Sequence, residues 1–131
     1  MKIQIFDRQD HENPINGETI EEADKLLDTL RKFTNRRPFL CELVGENGCN
    51  LMIGIGKLGC AQYSPGDGKP PYLLALAPDP DPQLAEVQFL LGGTATPIPG
   101  RNALPFSLIE EIAVCFQRTG EPSKSVSWEE I

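Results

Sequence analysis

Leu104-Pro105-Phe106-Ser107-Leu108-Ile109-Glu110-Glu111-Ile112-Ala113-Val114-Cys115-Phe116-Gln117-Arg118-Thr119-Gly120-Glu121-Pro122 reads as one helix with both ends written in. Ser107 with Glu110 three residues on is a capping box, in which each side chain satisfies a backbone N–H left open at a helix start. Leu108, Ile109, Ile112, Ala113 and Phe116 recur at helical spacing and make one apolar stripe. Arg118 stands where the helix dipole favours a cation, and Gly120 suits the left-handed residue that ends a helix. Pro122 prevents resumption. The only Trp follows on an extended segment, Val126-Ser127-Trp128. A single apolar stripe needs a surface to bury against, and the residues upstream supply a sheet.

Working back from that helix, the chain changes period from 3.6 to 2. Thr94–Pro99 reads as an edge strand, because its two prolines exclude a central place in a sheet. Glu86–Leu91 is a strand with Val87, Phe89 and Leu91 alternating, and Gly92-Gly93 turns the chain between the two. Pro78-Asp79-Pro80-Asp81-Pro82 is stiff, acidic and extended. Tyr72–Ala77, Cys60–Ser64, Cys49–Ile55 and Phe39–Val44 are further strands, the last two joined by a hairpin turn with Asn47-Gly48. Before them, Thr19 with Glu22 forms a second capping box, and Ile20, Ala23, Leu26, Leu27, Leu30 and Phe33 trace a helix face to about Asn35. Residues 1–18 are a short extended piece and a polar turn. The expected fold is therefore α+β in a single domain, residues 1–131. An N-terminal helix precedes an antiparallel meander of five or six short strands, and the C-terminal helix packs on the sheet before a tail ending near Trp128.

At 131 residues the chain is long enough to bury a core without a disulfide or metal staple. The net charge of −7 disfavours direct DNA or RNA binding, which needs Lys and Arg against phosphate, and disfavours an anionic membrane for the same reason. No apolar run approaches membrane-spanning length, and Met1–Asp7 does not read as a secretory signal. Cys41, Cys49, Cys60 and Cys115 form no CxxC and read as buried free thiols of a cytoplasmic protein, with a disulfide between neighbouring strands as the alternative.

Chemistry-bearing motifs are sparse. Gly54-Ile55-Gly56-Lys57-Leu58-Gly59 matches G-x-G-x-x-G, but dinucleotide binding needs a helix next, and Cys60–Ser64 reads as a strand. The string is a hairpin turn. His11 is the only histidine; it sits in a polar stretch near the N-terminus, a poor place from which to hold a nucleophile, and one histidine is too few for a histidine-based zinc site. The chain lacks the zinc-deaminase signature. Asp79 with Asp81, and Glu110 with Glu111, are the carboxylate pairs a glycosidase-like reaction would need. The first lies on a surface loop and the second at a helix start. Arg31, Lys32, Arg36 and Arg37 read as a solvated helix end, since nothing aromatic interleaves them, with phosphate binding as the alternative. Trp128 reads as cover for the core edge, with an interface anchor as the alternative.

The block Leu104-Pro105, the following helix, Phe116 with Thr119-Gly120-Glu121-Pro122, and Val126-Ser127-Trp128 resembles the deaminase-associated immunity-protein family of bacterial polymorphic toxin systems, often labelled immunity protein one. Leu51–Gly56, Gln62-Tyr63 and Gly92–Pro97 are similar to that family's central strands. The resemblance implies a cytoplasmic antitoxin that neutralises a cognate toxin, usually a nucleic-acid deaminase. It implies scaffold residues, here Leu108, Ile112, Phe116, Gly120, Pro122 and Trp128, and no catalytic set, cofactor or metal. An acidic inhibitor suits a partner whose groove attracts phosphate. Loop position and charge then point to Tyr63, Asp67, Tyr72, Asp79, Asp81 and Glu86 as partner contacts. A small carboxylate hydrolase and a structural or small-ligand-binding subunit are the alternatives.

Overall fold

Ile3, Ile5 and Asp7 alternate with Gln4 and Phe6 in the first strand, β1 (Ile3–Asp7), and the alternation turns the first set into the core. In the computed structural model, which describes residues 1–131, β1 is an inner strand. It pairs antiparallel with β2 (Glu18–Ile20) and, on its other side, with β3 (Phe39–Gly45). The short extended piece expected within residues 1–18 is thus a strand of the sheet, and it corrects the expectation that a helix comes first. The meander continues through β4 (Asn50–Ile55), β5 (Leu58–Ser64) and β6 (Leu73–Ala75). The tail closes it as β10 (Trp128–Glu130), which pairs with β6. The order across the sheet is β10-β6-β5-β4-β3-β1-β2.

Three more strands lie off this path. β7 (Glu86–Leu91) and β8 (Thr94–Pro99) form a hairpin joined to the sheet where Leu90 meets Phe39 in parallel register. β8 pairs with β7 alone, so its prolines sit on an edge as their missing N–H requires. β9 (Leu104–Pro105) pairs briefly with β5. The sheet thus has ten strands rather than five or six. Of the extra ones, β2, β9 and β10 are two or three residues long, too short to show a period of their own.

Helices α1 (Ala23–Phe33) and α2 (Phe106–Thr119) cover one face. Leu26, Leu30 and Phe33 from α1, and Ile109, Ile112, Ala113 and Phe116 from α2, pack on Ile3, Ile5, Cys41, Leu43, Leu51, Ile53, Ala61 and Tyr63 of the sheet. Neither expected capping box forms. Thr19 and Ile20 belong to β2, so α1 starts at Ala23, and Ile20 reaches the core from a strand. Chain entry from β9 starts α2 at Phe106, one residue before Ser107, and Phe106 N–H donates to the Lys57 carbonyl instead. Glu110 is engaged by Arg31, whose Nε donates to its carboxylate at 2.7 Å.

The end of α2 matches its reading. Gly120 has φ +71° and its N–H closes on the Phe116 carbonyl. The Gly120 carbonyl in turn accepts from Tyr63 Oη at 3.0 Å and Asn47 Nδ2 at 3.3 Å. Trp128 is half-buried against the core, and its Nε1 donates to the Ser123 carbonyl at 2.8 Å. Leu108 is also half-buried, at the margin of the stripe.

Arg36 is not a solvated helix end. Its Nη1 donates at 2.6 Å to Asp7, whose side chain is fully buried, and its guanidinium lies 3.8 Å from the Phe39 ring centroid. Asp7 also accepts from Asn13 Nδ2 and from the N–H groups of Gln9 and Asp10. Burial pushes its carboxyl up, but these hydrogen bonds together prevail and hold it below its ordinary value.

All four cysteines are free thiols. Cys41 and Cys60 are buried; burial raises both thiols, Cys60 to about 12. Cys49 and Cys115 are only half-buried: Cys49 lies just before β4, and Cys115 lies within α2 on the side that lines an open groove with Leu27 and Arg31.

Candidate partner-binding surface

The six expected contact residues fall into three places. Tyr63 is buried on the helix side of β5 and its hydroxyl is spent on Gly120, so it supports the sheet from within and leaves the surface set. Burial raises its hydroxyl further above its ordinary value. Asp67 and Tyr72 belong to the loop before β6. Asp67 is exposed and accepts from the Lys69 N–H at 2.9 Å, while half-buried Tyr72 donates to the Gly68 carbonyl at 2.8 Å. Asp79, Asp81 and Glu86 follow β6, and all three are exposed. The two loops therefore leave the sheet from opposite ends of β6, and the carboxylates do not form one cluster.

Charge is distributed unevenly. Each of the six ion pairs joins one acid to one base, so the whole formal charge of −7 rests on unpaired side chains. Between Lys69 and Arg101 the chain has no cation at all, and it carries Asp79, Asp81 and Glu86. Arg101 is itself paired with Glu129. Glu129 also accepts from Asn102 Nδ2 at 2.9 Å, and chiefly that bond holds its carboxyl below the ordinary value. The segment with β6, the proline loop and the β7–β8 hairpin is thus purely anionic.

The sheet face turned away from the helices was not foreseen as a site. Pairing register sets Phe6, Glu42, Met52, Gln62 and Leu74 in one row across five strands. A solvated sheet face is ordinarily polar, yet three of these five are apolar. Glu42 is buried among them; Arg8 Nε donates to it at 2.9 Å and Asn50 Nδ2 at 2.8 Å. Arg8 lies 4.8 Å over the Phe6 ring. The β7–β8 hairpin crosses one end of this face, where Phe89 packs with Leu40 and Cys60, and Met52, Val87 and Ile98 stay half-exposed around them. A signal was present in the sequence, since Phe6, Val44 and Met52 break the expected alternation.

On the other side, α1 and α2 border an open groove of about 600 Å³ lined by Leu27, Arg31, Glu110, Glu111, Val114 and Arg118 among others. Of its two carboxylates, Glu110 is bound to Arg31 and Glu111 is exposed. No three His, Cys, Asp or Glu side chains converge as a metal site would require. The G-x-G-x-x-G string forms the β4–β5 hairpin, where Gly54 stands opposite Cys60. No helix is long and apolar enough to cross a membrane.

The family model described as Immunity protein Imm1 matches residues 11–130. No curated protein matches the chain. Because the match spans both helices and every strand except β1, the chain belongs to the Imm1 family of immunity proteins.

Proposed function

We propose that this chain is a cytoplasmic antitoxin that binds a cognate secreted toxin, a nucleic-acid deaminase, and denies substrate its active site or groove. The family match over nearly the whole length carries this reading. The anionic segment around the proline loop supports a basic partner, and an enzyme that holds nucleic acid needs a basic groove. Inhibition is by occupation: complementary charge speeds encounter, and apolar anchors slow release. No bond is made or broken on the inhibitor.

Asp67, Asp79, Asp81 and Glu86 are exposed, so their replacement by alanine leaves the core intact. Rim charges act mainly on association rate. The quadruple variant is expected to associate with the toxin domain about tenfold more slowly at low salt, with a flatter salt dependence. Surface plasmon resonance across a salt series checks this. Unchanged association and salt dependence would remove these four carboxylates from the contact.

A further inference from the structure

We propose that the helix-free face of the sheet, floored by Phe6, Met52 and Ile98 around the Arg8–Glu42 pair, is the surface that seats the toxin. The partner it fits presents an apolar anchor flanked by Lys and Arg. This rests on the immunity reading above and deepens it by naming the face.

Three observations point there. First, partly exposed apolar side chains interrupt the polar alternation of an outer sheet face: Met52, Val87 and Ile98 surround Leu40, Cys60 and Phe89, and Phe6 stands across Glu42 from Met52; apolar surface left on a sheet face marks interaction sites. Second, the floor is held in place before any partner arrives. Arg8 is fixed by Glu42 and by Phe6. The hairpin tip is tied down by Gly92 N–H on the Arg8 carbonyl at 3.0 Å and Gly93 N–H on Gln9 Oε1 at 2.7 Å. Gly54 admits Phe89 closely; a Cβ there would stand 2.6 Å from the Phe89 ring. Prior order of this kind lowers the entropic cost of binding. Third, charge selects the occupant. The hairpin bordering the floor and the loop leading into it carry Glu86, Asp79 and Asp81 against Arg37, which lies beside Gln88 and Leu90, so the border is net negative and attracts a basic partner. The groove between the helices has Arg31 and Arg118 balancing Glu110 and Glu111, and offers such a partner no net attraction.

The test uses the cognate toxin domain, inactivated at its catalytic residues. Met52→Asp and Ile98→Asp each place a charge on the floor, and Val114→Asp places one in the helix groove. Added negative charge would strengthen a purely electrostatic contact, so a loss marks apolar packing. Each floor variant is expected to weaken binding by about 30-fold or more, the size of a hot spot, while Val114→Asp stays within about threefold of wild type, as a change outside the contact should. Thermal melts verify folding. Hydrogen exchange on the wild-type complex gives a second measure, with protection expected over residues 50–54 and 86–99. Protection confined to α1 and α2, or binding lost only in Val114→Asp, would overturn the face while leaving the immunity reading intact. Sedimentation of the isolated chain as a dimer protected over the same strands would make a second copy the occupant, which also overturns it. Failure of the wild-type chain to bind the toxin would remove the immunity reading itself.

Discussion

Arg36→Ala is expected to lower the folding stability by about 3 kcal/mol, the scale for removing one partner of a buried ion pair. Asp7 has no exposed side-chain surface, and Arg36 is its only cationic partner. Without the guanidinium, Asn13 and two backbone N–H groups remain to satisfy a charge that water does not reach. The lost guanidinium also leaves the Phe39 and Phe33 rings, 3.8 and 5.7 Å from it, without their cation. Asp7→Asn should cost less, about 1–2 kcal/mol, because the amide keeps an acceptor and Arg36 can turn to solvent. Urea unfolding of the three proteins checks the order. The pH dependence has a definite sign. Because Asp7 is held below its ordinary value of 3.8, its contribution is full above that value and is lost as pH falls through the lower folded value. Arg36→Ala should therefore lose less stability on acidification than the wild type. Equal stability of Arg36→Ala and wild type at neutral pH would show that the pair is not a clasp between β1 and the segment after α1.

Phe116→Ala is expected to cost about 3–5 kcal/mol, as for other fully buried Phe side chains. Its ring is 1% exposed and meets Tyr63 edge-on at 6.2 Å between centroids. It lies one turn before Gly120, whose carbonyl is clamped by Tyr63 and Asn47. The cavity would open where α2 ends, so the helix should lose packing and cap together. Phe116→Leu keeps most of the volume and should cost markedly less. A chemical melt of both variants decides. A loss below about 1 kcal/mol for the alanine variant, far under the cavity scale, would mean that α2 is not anchored at this end.

The sequence showed the parts of the fold governed by local rules. The Gly120 terminator, the α2 stripe, the β3–β4 and β4–β5 hairpins and the edge position of β8 all follow from adjacent residues, and all are present. Errors arose where a local signal met a long-range contact. Thr19 to Glu22 has the spacing of a capping box, yet pairing of Thr19 with Gln4 makes that stretch a strand. Ser107 and Glu110 have the same spacing, but β9 feeds α2 one residue early and Arg31 takes the carboxylate. Arg36 is far from Asp7 in the chain, and no periodicity links them. The candidate surface was legible only in part. Its charge is a property of composition along residues 70–100. Its apolar floor depends on register across five strands, which sets Phe6, Met52 and Leu74 in one row with Glu42 and Gln62 between them. Tyr63 has a tyrosine's usual partner-binding chemistry, but strand parity turns it inward.

The most direct test of the proposed inhibition by occupation is a titration of the purified chain into the active toxin domain, with the deaminated product that the proposal expects of it as the readout. Activity should fall linearly to zero at one equivalent, and cells expressing both proteins should survive. Toxin activity undiminished at a tenfold excess would contradict the account. So would unaided turnover of a substrate by this chain that one carboxylate replacement abolishes.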